Sequence, residues 1–121
     1  MSQLHIVRNV TRGTVVGDRI LLARSLRDRT VGLLGRAGLE PGEGLWIQGA
    51  PSIHMFFMRF AIDAVFVSGD GRVTKVVADL KPWRVVWWAR GAGDCLEVPV
   101  GAAAASSTEP GDELILEPAL D

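Results

Sequence analysis

Short apolar runs separated by glycine-rich polar breaks dominate the chain, and long helical stripes are rare. Leu4–Val7 and Thr14–Val16 read as strands. Gly17-Asp18 predicts a turn into a further strand, Ile20–Ala23, so the N-terminal part reads as a hairpin or meander. Ser25-Leu26-Arg27-Asp28 has the spacing of a capping box with Asp in place of Glu, which starts a helix at Ser25. Leu26, Thr30, Leu33 and Leu34 then fall on one helical face, and Gly35 and Gly38 end it. Pro41-Gly42-Glu43-Gly44 is a turn cluster, Leu45–Gln48 a short strand and Gly49-Ala50-Pro51-Ser52 a loop.

From Ile53 the pattern has period two. Met58, Phe60, Ile62, Ala64 and Phe66 occupy one face; Phe57, Arg59, Ala61, Asp63 and Val65 occupy the other. Gly69-Asp70-Gly71 predicts a tight reversal into Val73–Ala78. Val85–Trp88 and Cys95–Val98 read as two more strands, Val100–Ser107 as one or two helical turns, and Leu114–Glu117 as a final strand after the turn at Pro110-Gly111-Asp112. Seven or eight short strands with no long βαβ crossover predict a mostly β fold: a small antiparallel β-barrel or sandwich with one covering α-helix.

At 121 residues one domain, 1–121, is expected. A chain of 13.0 kDa hides about two-thirds of its unfolded surface, enough for a core without metal or disulfide staples. The hydrophobic share of 48% argues against disorder. A net charge of −1 does not favour non-specific binding to nucleic acid or to an anionic membrane, so neither is expected as a partner. The charge is uneven: residues 1–60 hold eight Arg against four acids, and residues 61–121 hold five bases against ten acids. Five of the Arg fall between Arg19 and Arg36, either as a solvated helix face or as forks for a carboxylate or phosphate. Cys95 is the single cysteine, so no internal disulfide forms, which suits a reducing, cytoplasmic setting. The first 20 residues carry no signal-peptide pattern. Leu45–Val67 is the most apolar stretch, but Gln48, His54, Arg59 and Asp63 interrupt it, so no transmembrane helix is predicted.

Several blocks, in order, resemble a known family. They are Arg29-x-x-Gly32-Leu33-Leu34-Gly35-Arg36-x-x-Leu39, Gly44-Leu45-Trp46-Ile47, Phe57-Met58-Arg59-Phe60-Ala61-Ile62-Asp63-x-x-Phe66, Leu96-Glu97-x-x-x-Gly101 and Gly111-Asp112. Together they resemble the signatures of domain of unknown function 192, over about Arg19 to Leu116. The family often has Pro where Ala61 stands and a hydroxyl residue where Met55 stands. The resemblance implies a compact, mostly β fold with a helix, and no established activity.

The residues with chemical potential are few. His54 reads either as a base or ligand with a pKa near 6.5, or as a loop histidine bonded to backbone. Asp63 sits in an apolar run, where a carboxylate is expected to be paired or bonded to backbone amides. On a regular strand Arg59 shares its face, roughly 13 Å away. Cys95 reads as a small buried hydrophobe, or as a thiolate if it meets His54. Two His and one Cys, widely separated, have no metal-ligand spacing, and neither a phosphate loop nor a nucleophile elbow occurs, so no cofactor is expected. Trp83, Trp87 and Trp88, with Arg84 and Arg90, form an aromatic group able to stack sugars or bases or to anchor a protein.

The preferred reading is a monomeric, non-enzymatic binding or accessory module for a small anionic or polar ligand. Its groove would lie between the helix and the central strands, at Arg29, Arg36, His54, Met58, Arg59 and Asp63. The alternatives are a small hydrolase or lyase using Asp63 and His54, and an interaction subunit acting through the Trp cluster.

Overall fold

A computed structural model describes residues 3–24, Leu33 and 36–119. The strands are β1 (Leu4–Asn9), β2 (Thr14–Ala23), β3 (Glu43–Gln48), β4 (Ile53–His54), β5 (Ile62–Val67), β6 (Val73–Leu80), β7 (Val85–Val86), β8 (Asp94–Pro99) and β9 (Leu114–Pro118). One short helix, α1 (Ala102–Ala105), precedes β9. The fold is mostly β, as the alternation predicts. The helix expected from Ser25 falls outside the described residues, apart from Leu33, which is helical and buried.

Seven strands form one sheet in the order β6-β5-β8-β3-β2-β1-β9, and β4 pairs with β7 in a small separate ribbon. Period-two alternation works on both faces of the central strands. Leu45, Ile47, Ile62, Ala64, Phe66 and Cys95 pack on one side. Trp46, Val65, Val67, Leu96 and Val98 pack on the other. Every residue of β5 is buried, as expected of a strand covered on both faces.

Four features depart from the sequence reading. Thr14–Ala23 is one strand, without a turn at Gly17-Asp18. The pair forms an irregularity in the β1–β2 register, held by the N–H groups of Asp18 and Arg19, which both donate to the Gly42 carbonyl at 3.1 and 2.8 Å. β2 and β3 run parallel, with Arg19 opposite Glu43 and Ala23 opposite Ile47. The strand expected to run through Met58 and Phe60 begins only at Ile62, and Phe57 adopts φ 65°. Finally, the sheet does not close into a barrel. Its edge strands meet at one end only, through an isolated bridge between Arg72 and Glu113. There the Leu114 N–H donates to the Gly71 carbonyl at 2.8 Å. Gly71 has φ 88°, and a Cβ on it would come within 2.7 Å of the Leu114 oxygen, so only glycine allows this approach.

A polar junction locks the chain beside this seam. Buried Asn9 donates through Nδ2 to Thr108 Oγ1 at 3.1 Å and to Asp112 Oδ2 at 3.0 Å. Arg12 Nε donates to the same carboxylate at 3.0 Å, and the Glu109 N–H does so at 3.0 Å.

Candidate functional site

The β4–β7 ribbon is the base of a surface rich in exposed aromatic side chains. Ile53 and Val86 pair across it and bury their side chains, so His54 and Val85 alternate outward. The ribbon continues into two loops that are stitched together by backbone. Met55 N–H donates to the Arg84 carbonyl at 2.8 Å, and Trp83 N–H donates to the Met55 carbonyl at 2.8 Å. Ala89 N–H closes the far end on the Pro51 carbonyl at 2.7 Å. Met55, Met58 and Ala89 fasten these loops into the core.

With those positions spent on anchoring, the large rings between them face solvent. Phe57, Trp83, Trp87 and Trp88 are 69%, 58%, 81% and 70% exposed, and Phe56 is 40% exposed. Phe57 and Trp83 hold left-handed backbone conformations, φ 65° and 70°. Such non-glycine residues are sparse and concentrate where surrounding structure over-determines them, often at functional sites. Their rings meet edge to face at 5.0 Å. Trp83 also lies 6.0 Å from Phe56, which stacks on the His54 ring at 5.0 Å. His54, Phe56, Phe57 and Trp83 thus form a connected aromatic shelf, and Trp87 and Trp88 follow on the Trp83 side of it. A shallow cavity of about 170 Å³ opens beside it, lined by Ser52, Ile53, His54, Phe56, Val85 and Trp87.

The shelf has a one-sided charge. Residues 51–62 and 80–93 contain Arg59, Lys81, Arg84 and Arg90 and no acidic residue. All four cations are exposed. Lys81 Nζ pairs with Asp79 at 2.9 Å; among the described residues Arg59, Arg84 and Arg90 form no ion pair.

The small-ligand candidates are dispersed. His54 belongs to the shelf, where its Nδ1 accepts the Phe56 N–H at 3.3 Å. Arg59 is exposed on the same loop, while Met58 is a core residue. Asp63 is 1% exposed. Its Oδ1 accepts the Asp79 N–H at 2.9 Å, and its Oδ2 accepts the N–H groups of Gly101 and Ala103 at 3.0 and 3.1 Å. The carboxylate thus ties β5 to the end of β6 and to the start of α1. Arg36 lies elsewhere, beside β3. Its Nη2 donates to Glu43 Oε1 at 3.0 Å, and the Glu40 N–H donates to the same oxygen at 2.8 Å. The Glu40 amide, followed by Arg36, holds the Glu43 carboxyl below its usual range. A cavity of about 110 Å³ at this pair is lined chiefly by Leu21, Leu33, Leu39 and Leu45. Arg29 lies outside the described residues. Cys95 is fully buried on β8. Among the described residues no group of three potential metal ligands occurs.

Phe56 and Phe57 are the shelf members that the sequence reading left out. The available signal was the acid-free composition of both segments around the Trp residues.

Known proteins place the chain among relatives over nearly its whole length. The sequence model of DUF192, described as uncharacterized ACR, matches residues 7–116. The chain is 34% identical over 109 residues to a UPF0127 protein of Pyrococcus furiosus, covering 88% of this chain and 93% of that protein. It is 33% identical over 116 residues to a UPF0127 protein of Thermococcus sibiricus, covering 88% and 71%. Among solved structures, a protein of unknown function from Novosphingobium aromaticivorans superposes with a TM-score of 0.76 at 28% identity, covering 93% of this chain and 83% of that one. A putative transcription regulator from Sinorhizobium meliloti superposes with a TM-score of 0.79 at 19% identity, covering 96% and 94%, a likeness of fold alone.

Proposed function

The chain belongs to the DUF192 family, and from that premise we propose that it is a non-enzymatic binding or accessory module whose recognition surface is the aromatic shelf. One observation carries this reading: four large rings stand more than half exposed on loops that are themselves firmly anchored. Apolar surface left in water forgoes roughly 25 cal/mol per Å² of stabilisation, so a group of exposed rings of this kind supports a role in which something else covers them. Tryptophan and arginine are also the residues that dominate binding energy at interfaces. A small anionic or polar ligand at the shelf would meet His54, Arg59 and Arg84. A hydrolase or lyase has less support. Both oxygens of Asp63 are engaged by backbone N–H groups, and His54 lines a different part of the surface.

Thermal-shift screening of polar metabolites and acidic peptides tests the reading. The double variant Trp87→Ala/Trp88→Ala is expected to melt within about 2 °C of the wild type, because exposed substitutions stay within about 0.5 kcal/mol. A ligand at 100 times its dissociation constant adds about 2.7 kcal/mol. That gain is expected in the wild type and absent in the double variant. A gain that survives the double variant but disappears in Arg36→Gln would move the site to the Arg36–Glu43 cavity and refute the shelf.

A further inference from the structure

We propose that the occupant of the shelf is the anionic face of a lipid bilayer, on which the protein docks peripherally. The inference rests on the shelf being the binding surface and goes on to name what it binds.

Shape is the first argument. The rings of Phe57, Trp83 and Trp88 stand more than half exposed on two adjoining loops, and Trp87, more exposed still, rims only the shallow cavity beside His54. Rings that stand this far into solvent offer a protein partner little enclosed pocket, whereas a bilayer interface yields around them. An indole has a broad apolar face and one N–H donor, which suits the depth between headgroups and hydrocarbon, and Phe adds apolar insertion beside it. The backbone bonds between Met55, Trp83 and Arg84, with the buried anchors Met55, Met58 and Ala89, hold the loops before contact, so little ordering is needed.

Charge is the second. Arg59, Arg84 and Arg90 follow the rings closely in sequence and are exposed, without ion pairs among the described residues, and neither loop segment contains an acid. The whole-chain charge of −1 conceals this local excess. Guanidinium forks suit phosphate oxygens. Each basic residue held near an anionic leaflet strengthens adsorption about fivefold. Among the described residues no helix is long and apolar enough to cross a membrane, and docking of this kind needs none.

Co-sedimentation with unilamellar vesicles tests it, using phosphatidylcholine alone and a three-to-one mixture of phosphatidylcholine and phosphatidylglycerol at low salt. The wild type is expected to sediment with the mixed vesicles, with a blue shift in tryptophan emission, and far less with phosphatidylcholine alone. Binding is expected to fall at least about tenfold in Trp87→Ala/Trp88→Ala and, through charge alone, in Arg84→Gln/Arg90→Gln. Absence of vesicle binding by protein that melts normally overturns the inference while the shelf reading stands. Equal vesicle binding by wild type and both variants overturns it too. Polyglutamate binding that needs Trp87 and Trp88, without vesicle binding, overturns it in favour of an acidic protein partner. Inorganic phosphate that abolishes vesicle binding at equal ionic strength replaces the bilayer with a free-phosphate site and overturns it as well.

Discussion

Asp63→Ala is expected to lower stability by about 2–4 kcal/mol, through the three backbone donors it leaves without a partner. Neither Asp79 nor Gly101 nor Ala103 can turn its N–H to another acceptor without moving β6 or α1. The isosteric Asp63→Asn should recover only part of the loss, because one of its two oxygens becomes an amide that points hydrogens at a backbone N–H. Urea melts give the answer. A loss below about 0.5 kcal/mol for the Ala variant would show a solvated carboxylate and return Asp63 to the candidates for binding or catalysis.

Asp112 should show nearly as large an effect, and its effect should depend on pH. Its carboxyl is lowered from 3.8 to about 2, first by the Arg12 hydrogen bond and then by that of Asn9. A depressed carboxyl contributes stability that is complete above its unfolded value and is lost as pH falls through its folded value. The junction should therefore hold fully above about pH 4 and weaken progressively toward pH 2. Asp112→Ala is expected to cost about 2–3 kcal/mol at neutral pH, since Asn9, Arg12 and the Glu109 amide lose their shared acceptor. Asp112→Asn should flatten the acid limb of the stability curve. An unchanged limb between pH 4 and 2 would mean that the charge on Asp112 does not hold the seam.

Sequence pattern was most informative where packing is simple. Leu45–Gln48, Val73–Ala78, Cys95–Val98 and Leu114–Glu117 alternate across a sheet and were legible within a residue or two. Gly17-Asp18 misled because a glycine–aspartate pair serves a bulge as readily as a turn, and the Gly42 carbonyl that decides between them is distant in sequence. The alternation of Met58 and Phe60 with Ile62 was not one strand: Met58 is buried from a loop, and the chain enters β5 only at Ile62. The parallel β2–β3 pair was hidden because local periodicity does not encode the direction in which strands pair. The Trp group, and an Asp63 either paired or bonded to backbone amides, were both readable from residue type and neighbours. The joining of Phe56 and Phe57 to Trp83 was not, since left-handed φ at bulky residues has no local signal.

Collisional quenching of tryptophan emission by acrylamide tests the central claim, that the aromatic shelf of the free protein stands open to a partner. Trp46 is 6% exposed and bonds Asp94 through its Nε1–H at 2.9 Å, so it should resist quenching. Trp83, Trp87 and Trp88 should be quenched freely, leaving one protected component and three accessible ones. Uniform protection of all four indoles in the free protein would contradict the account, because a shelf already covered by the protein's own chain has nothing to offer a partner.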